Sequence, residues 1–186
     1  MHIVVACIVV LCGVASASPA EHASGSGPAA SASTVAARPT PSETQRALLV
    51  GKVAPDIQLV TLDGKTVKLS ALKGQVVVLD FWATWCAPCV KMLPQLNSWH
   101  RTLKAKGLVV VGITQDDEED VRAFTAGGPT FEYPVALDPT QDALRKYRVQ
   151  GLPMTAIIDK KGVIRFAEIG VGELDHMEKA LAGLLK

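Results

Sequence analysis

The sequence predicts an α/β fold in which a mixed β-sheet is flanked by helices. Two alternating runs joined by Asp63-Gly64 predict a β-hairpin. The β-branched run at 76–81 and the apolar run at 108–113 have a helical pattern between them, which is typical of a β-α-β unit with buried strands. A second hairpin and a closing helix follow, and this order predicts an α/β sandwich.

Local patterns define each element in turn. The helix after the first buried strand places Leu93 and Trp99 on one face, and Pro94 inside it predicts a kink. Asp138-Pro139 is typical of a helix start. In chain order we predict a hairpin at 57–62 and 66–69, a strand at 76–81, a helix at 86–106, a strand at 108–113, a helix from 116 to about 125, a helix near 140–147, a hairpin at 154–158 and 163–169, and a helix at 173–185.

The first part of the chain differs in composition from the rest. Residues 3–14 are almost wholly apolar, and the small residues that follow resemble a signal-peptidase site. We predict a signal peptide at 1–17, with a cut after residue 20 as the alternative. Residues 18–46 are mostly Ala, Ser, Pro, Gly and Thr, which predicts a flexible linker before a globular domain at 47–186.

Cys7 and Cys12 leave a lipid anchor open as an alternative to cleavage. Each follows apolar residues in the manner of a bacterial lipobox, although Leu11 occupies a position where a small residue is expected. An uncleaved signal is a further alternative. No apolar run approaches the roughly 18 residues of a membrane span, so we expect membrane contact only through an N-terminal anchor.

Composition excludes several function classes. The chain has 186 residues, 48% of them hydrophobic, which argues against wholesale disorder. Its formal net charge of +1 argues against nucleic-acid binding, which usually needs a basic patch. The four cysteines are too few for a disulfide-stapled mini-domain. We expect one globular domain and, since no amphipathic stretch indicates a dimer seam, a monomer.

Cys86 and Cys89 form a CxxC pair where the first buried strand turns into a helix. Cys86 would lie at the helix N-terminus, where unpaired backbone N–H groups and the helix dipole stabilise a thiolate. Cys89 would lie one turn along, within reach of a mixed disulfide on Cys86. A zinc site needs further ligands, and His100 and His176 are isolated, so we expect redox chemistry and no bound metal.

Four segments contain motifs of one known family. They are GKVAPD at 51–56, LSALKG at 69–74, FWATWCAPC at 81–89 and GLPMT at 151–155. Together they resemble the thioredoxin superfamily and, within it, the exported TlpA/ResA-like thiol-disulfide oxidoreductases. The resemblance covers the whole predicted domain, and residues 116–130 are similar to an insertion of that branch. It implies the thioredoxin fold with an N-terminal β-hairpin extension and a β-α insertion, and no cofactor.

The resemblance also implies roles for individual residues. Cys86 would be the attacking thiol and Cys89 the resolving thiol of a redox disulfide. Pro153 would be the family's cis-proline facing the CxxC pair, and would leave the backbone of Leu152 free to pair with a substrate peptide. Trp85 would form part of an apolar docking surface. The partners would be client proteins with cysteine disulfides and a membrane thiol protein that donates electrons.

Two positions depart from the TlpA/ResA-like pattern. Met92 stands where many members have a Glu, three residues after the second cysteine. Asp80 stands where many have Asn and where thioredoxin has a buried aspartate. Burial raises the pKa of a carboxyl group, so we predict that Asp80 exchanges protons with Cys89. The alternative is a solvated aspartate that faces an edge.

These observations predict an exported disulfide reductase that acts on periplasmic or extracytoplasmic clients by thiol–disulfide exchange. The resemblance implies a role in cytochrome c or copper-site maturation. Three alternatives stay open: an exported oxidase or isomerase, a peroxide reductase, and a non-catalytic copper-binding module. The peroxide reductase is disfavoured because the residues before Cys86 lack a Pro-x-x-x-Thr lead-in. Two thiolates suit Cu(I), with Met92 and Met154 as candidate further ligands.

Overall fold

The structure, a computed structural model, describes residues 38–172 and 174–186. The strands of this part form one seven-stranded mixed sheet with helices on both faces, which confirms the predicted fold class. The predicted signal peptide, Cys7, Cys12 and most of the predicted linker lie outside the described residues.

The elements follow the predicted order, with the exceptions described below. The strands are β1 (Gln58–Thr61), β2 (Thr66–Lys68), β3 (Val76–Trp82), β4 (Leu108–Thr114), β5 (Val135–Leu137), β6 (Met154–Ile158) and β7 (Ile164–Ile169). The helices are α1 (Pro41–Leu49), α2 (Ala87–Leu103), α3 (Glu118–Ala126), α4 (Asp142–Lys146) and α5 (Leu174–Leu184). Within the described residues, none of the helices has the length and apolar character needed to cross a bilayer.

The sheet topology places the end of β3 and the start of β6 side by side, at the same end of their strands. The strand order is β2-β1-β5-β4-β3-β6-β7. β3 pairs with β4 in parallel and with β6 in antiparallel register, with Phe81 opposite Met154. Because β6 runs against β3, the residues that follow Trp82 lie beside those that precede Met154. The CxxC segment therefore lies next to Leu152-Pro153.

β3 is buried on both faces because its side chains alternate between two halves of the core. Val77, Leu79 and Phe81 pack on one face with residues of α1 and α4. Val76 and Val78 pack on the other face with residues of α2 and α5. Burial of each such side chain contributes roughly 1.5–3 kcal/mol to stability. The strand that leads into the cysteine pair is therefore fixed from both sides.

A helix lies where the composition predicts the end of the linker. α1 begins at Pro41, and Thr40 and Glu43 form a capping box in which each residue's N–H donates to the other's side chain, at 2.7 and 3.2 Å. Leu49 at the other end is buried in the core. The linker prediction is therefore wrong for 41–46, because the cap and the buried face outweigh the polar composition.

Two elements beyond α3 also differ from the prediction. β5 is a three-residue strand between β1 and β4, at a place where the sequence indicates no separate strand. α4 begins at Asp142 rather than directly after Pro139, because a turn intervenes. The residue at the N-cap position of α4 is Gln141, whose side chain makes no cap hydrogen bond. The Asp138 carboxylate caps the helix instead, because it accepts hydrogen bonds from the N–H groups of Asp142 at 2.9 Å and Leu144 at 3.0 Å.

Candidate active site

Cys86 and Cys89 are joined by a disulfide where β3 gives way to α2. Their Cα atoms are 5.3 Å apart, and both residues are buried against Trp82 and Ala83 in one apolar cluster. Cys86 is the N-cap of α2. The structure thus joins the two cysteines that the sequence analysis selects in a disulfide at the N-terminus of α2.

The N-terminus of α2 provides hydrogen-bond donors for Cys86. The Cys89 N–H donates to Cys86 Sγ at 3.3 Å, and the Val90 N–H donates to the Cys86 carbonyl oxygen at 3.3 Å. The first turn of α2 contains no acidic residue. Once the disulfide is reduced, the Cys89 N–H and the helix dipole favour a thiolate over a thiol at Cys86, whereas the Val90 N–H bonds only the backbone carbonyl. Cys86 is therefore better placed than Cys89 to attack a disulfide.

The loop before β6 leaves the backbone groups of one residue beside the disulfide unpaired. The Leu152–Pro153 peptide bond is cis. Leu152 is half-buried and packs against the cluster that contains both cysteines. Its backbone N–H and C=O make no hydrogen bond with other residues in the described part of the chain, so they are available to a peptide that adds in β-fashion.

The two tryptophans near the disulfide have opposite environments. Trp82 is buried, with its ring centroid 4.6 Å from that of Phe131 and 5.7 Å from that of Phe124. Trp85, directly before Cys86, is 69% exposed. An aromatic ring so open to solvent beside a reactive bond offers apolar contact area to a partner protein.

Asp80 is buried in the middle of β3, six residues before Cys86. Its neighbours in register are Gly112 on β4 and Thr155 on β6. Burial raises the pKa of Asp80 to about 7, and its Oδ1 has no hydrogen-bond partner among the described residues. The alternative of a solvated, edge-facing aspartate is therefore wrong, because β3 lies inside the sheet. A carboxyl group with this proton affinity can take up and release protons near neutral pH.

Comparison with known proteins places the chain in a family. Residues 50–167 match the model described as the AhpC/TSA family. The chain belongs to the AhpC/TSA family. The ResA thiol-disulfide oxidoreductase of Bacillus thuringiensis (strain Al Hakam) is 34% identical over 137 residues, which is 74% of this chain and 77% of ResA.

Solved structures of similar proteins agree with the fold. One from Chlorobium tepidum, provisionally described as the thiol:disulfide interchange protein DsbE, is 37% identical with a TM-score of 0.69 and covers 74% of this chain and 98% of its own. The exposed lipoprotein thioredoxin Etrx1 of Streptococcus pneumoniae strain TIGR4 is 32% identical with a TM-score of 0.63, covering 70% and 100%. This AhpC/TSA-family chain is a thioredoxin-fold thiol-disulfide oxidoreductase.

Asp116 is a site residue that the sequence analysis missed. Its Oδ2 accepts a hydrogen bond from the Thr84 N–H at 2.6 Å, and its own N–H donates to Thr114 Oγ1 at 3.1 Å. In this AhpC/TSA chain, the end of β4 therefore holds the turn that carries Trp85 and Cys86. The sequence shows Asp116 only as the first member of an acidic run, which favours a helix N-terminus, and the structure separates it from that helix.

Replacing Asp116 with alanine is expected to slow disulfide reduction by roughly five- to thirtyfold, since a charge-assisted hydrogen bond of about 1–2 kcal/mol no longer holds the turn. Steady-state reduction of insulin disulfides measures this rate. Asp117→Ala is the matched control, because the exposed Asp117 side chain makes no cap hydrogen bond. Equal rates for the two variants would show that Asp116 does not position the turn.

The candidate copper ligands lie in separate parts of the core. Met92 is buried on the α2 face of the sheet, whereas Met154 is buried on the opposite face. In the described residues, no group of three or more His, Cys, Asp or Glu side chains is arranged to hold a metal ion. The two methionines are therefore core residues of this AhpC/TSA fold rather than one ligand set with the cysteines.

Proposed function

We propose that the chain is an exported reductase of client-protein disulfides. The observation that supports this most directly is the Cys86–Cys89 disulfide at the N-terminus of α2, beside a loop with free backbone groups and next to an exposed tryptophan. The reaction needs a nucleophile, a second thiol for release and a surface for the client, and these three are adjacent.

The proposed reaction transfers two electrons to the client. The Cys86 thiolate attacks one sulfur of the client disulfide, forming a mixed disulfide and releasing the first client thiolate. Cys89 then loses its proton to the Asp80 carboxylate and attacks Cys86 Sγ. This step forms the Cys86–Cys89 disulfide and releases the second client thiolate, which takes up a proton. The client is reduced and the enzyme is oxidised.

We propose that the client binds in extended form along Leu152. Its backbone would pair with Leu152, while an apolar residue near the client cysteine would contact Trp85. Main-chain hydrogen bonds give affinity for many sequences, and a single apolar contact gives a modest preference. This arrangement suits an enzyme that must act on several clients or on one flexible segment, such as a cysteine motif awaiting haem or copper.

Export and the electron supply are the remaining parts of the proposal. The apolar run at 3–14 supports export, and the Streptococcus pneumoniae relative is described as an exposed lipoprotein. A reductase in an oxidising compartment has to be re-reduced from outside it. We therefore propose a membrane thiol protein as the partner that attacks the Cys86–Cys89 disulfide and restores both thiols.

The reduction potential of the Cys86–Cys89 pair tests the proposed direction. We expect about −270 mV or lower, as for a reductant, measured in dithiothreitol or glutathione buffers with tryptophan fluorescence as the readout. A value of about −180 to −120 mV would instead identify an oxidase or isomerase. Tight stoichiometric Cu(I) binding without insulin reduction would favour a copper-binding module, and rapid peroxide consumption would favour a peroxide reductase.

A further inference from the structure

Four buried polar side chains on the α2 side of the sheet are not accounted for by the fold. Asp80 Oδ1, Trp82 Nε1, Tyr133 Oη and Thr155 Oγ1 have no hydrogen-bond partner within the described residues. All four residues are less than 5% exposed. Buried polar atoms are almost always satisfied by protein or by ordered water, so four in one region indicate a site that binds water.

The sheet register places three of these residues together. Thr155 on β6 is directly opposite Asp80 on β3. Trp82 follows Asp80 by two residues, and side chains two apart on a strand point to the same face. That face is the α2 side, since Val78 on β3 packs there with Leu93 and Leu96. Asp80, Trp82 and Thr155 are therefore neighbours on one face.

Tyr133 joins this group across Gly112, the β4 residue opposite Asp80. A Cβ atom on Gly112 would lie 3.2 Å from Tyr133 Cε2 and 3.1 Å from Trp82 Nε1, so both rings occupy the space that a side chain would fill. Burial, and secondarily the charge of Asp80, raise the pKa of Tyr133. The phenol therefore stays protonated beside the carboxyl group. We define these four side chains, Asp80, Trp82, Tyr133 and Thr155, as the polar pocket.

The side chains of the polar pocket favour the charged form of Asp80. The indole N–H and the two hydroxyl groups are donors, whereas the carboxylate is an acceptor. Among these four side chains none of the donors bonds the carboxylate directly, and a water molecule with two to four polar partners can bridge such groups. Donors that reach a carboxylate favour its charged form.

We propose that Tyr133 is a positioning residue for Asp80: its hydroxyl donates, through bridging water in the polar pocket, to the Asp80 carboxylate and stabilises the form that accepts the Cys89 proton. This inference rests on the proposed function for the role of Asp80 in that proton transfer. The hydrogen-bond link between the two side chains can be measured without it.

Three other titratable groups lie near the polar pocket. Glu168 on β7 is opposite Thr155 and is paired with Arg46 at 2.6 Å. His100 on α2 lies with its ring centroid 6.3 Å from that of Tyr133, and its pKa is lowered, mainly by burial. The His100 Nδ1 is also buried without a hydrogen-bond partner among the described residues, so it is the competing acceptor for the Tyr133 hydroxyl. Cys89 is in the disulfide of the oxidised protein and does not titrate there.

Tyr133→Phe removes the hydroxyl and keeps the ring. The carboxylate then loses a donor, so we expect the pKa of Asp80 to rise by about half to one pH unit. The resolving step should slow roughly three- to tenfold at pH values below its midpoint. Tyr147→Phe is the matched control, because Tyr147 is also a buried tyrosine but donates to the Pro55 carbonyl oxygen at 3.0 Å and packs in the other half of the core.

The test is a titration of the Asp80 carboxyl carbon by NMR in the oxidised full chain, for the parent, Tyr133→Phe and Tyr147→Phe. An upward shift of the Asp80 midpoint in Tyr133→Phe alone supports the proposal, and identical midpoints in all three overturn it. If Tyr133→Phe does not fold, replacing both tyrosines of the chain with 3-fluorotyrosine keeps their shape and makes each hydroxyl a stronger donor. The Asp80 midpoint should then fall, and an unchanged midpoint would likewise overturn the proposal.

Single-turnover breakdown of the mixed disulfide against pH separates this inference from the proposed function. If Asp80→Asn has the parent's pH profile, the assigned role of Asp80 in the reaction fails, while the NMR titration still measures its coupling to Tyr133. If Asp80→Asn loses the pH dependence but Tyr133→Phe behaves as the parent in both measurements, the proposed function stands and the role of Tyr133 fails.

Discussion

Replacing Cys89 with alanine is expected to convert the enzyme into a trap for its clients. Cys86 keeps the N-terminus of α2 and can still attack a client disulfide, but the second thiol that releases the product is missing. Turnover should fall at least roughly a thousandfold, as for removal of an essential nucleophile. A covalent adduct between chain and client should accumulate, visible by non-reducing electrophoresis and by mass spectrometry.

The matched variant is Cys86→Ala, which keeps Cys89 but lacks the attacking sulfur. It should lose turnover to a similar extent and form no adduct, because Cys89 lies inside α2 and lacks the helix N-cap position that favours a thiolate at Cys86. Dithiothreitol should release the adduct of the Cys89→Ala variant. An adduct on Cys89 in the Cys86→Ala variant, with none on Cys86, would reverse the assigned order of the two thiols.

Asp80→Asn is expected to stabilise the fold at high pH. Burial raises the pKa of Asp80 to about 7 from its ordinary value of 3.8, so between these values the folded chain keeps a proton that the unfolded chain has lost. Stability of the parent therefore falls as pH rises from about 4 to about 7. An asparagine side chain has no proton to lose, so the variant should be on the order of 2–4 kcal/mol more stable at pH 8.

Urea unfolding of the oxidised proteins at pH 4.5 and pH 8 measures this difference. We expect a large gain for Asp80→Asn at pH 8 and a much smaller one at pH 4.5, where both states hold the proton more equally. The exposed Asp117→Asn serves as control and should change little at either pH. A gain that is the same at both pH values would show that the effect is packing and not ionisation.

The expected stability gain of Asp80→Asn at pH 8 would mean that the aspartate at position 80 lowers the stability of the folded protein. An uncharged residue at position 80 would suit the core better above neutral pH, yet the proposed reaction needs a group that can accept a proton there. Residues placed for reaction commonly disfavour the folded state in this way. The expected loss of resolving activity in Asp80→Asn would be the functional counterpart of its gain in stability.

The main features of the fold could be predicted from the sequence because they are local. Long β-branched runs indicate buried strands, and the CxxC pair stands at a strand-to-helix junction that is visible in the sequence. β5 could not be predicted in this way, because Val135–Leu137 is too short for a pattern and its pairing depends on distant strands. α1 did have a signal, the Thr40–Glu43 capping box, within a stretch of linker-like composition.

Some residues of the candidate site could be predicted from local motifs, whereas others come together only in the folded chain. The cysteines, Pro153 and Asp80 are recognisable from motifs close to each other in sequence or shared with a family. Asp116 and Tyr133 make contacts across the sheet, and no spacing along the chain indicates that Asp116 would meet Thr84 or that Tyr133 would pack on Gly112. Contacts of this kind depend on strand register, which the sequence alone does not specify.

The burial of β3 on both faces also limits which parts of the domain can open locally. Its amides lie between two paired strands and under two layers of side chains, so they should exchange with solvent only when the whole domain opens. Because Cys86 follows β3 closely, we expect the position of the disulfide to change little when other parts of the domain open. If the proposed clients differ in shape, we expect the exposed Trp85 side chain to adjust to them, while the Asp116 carboxylate keeps the backbone of its turn at the end of β4.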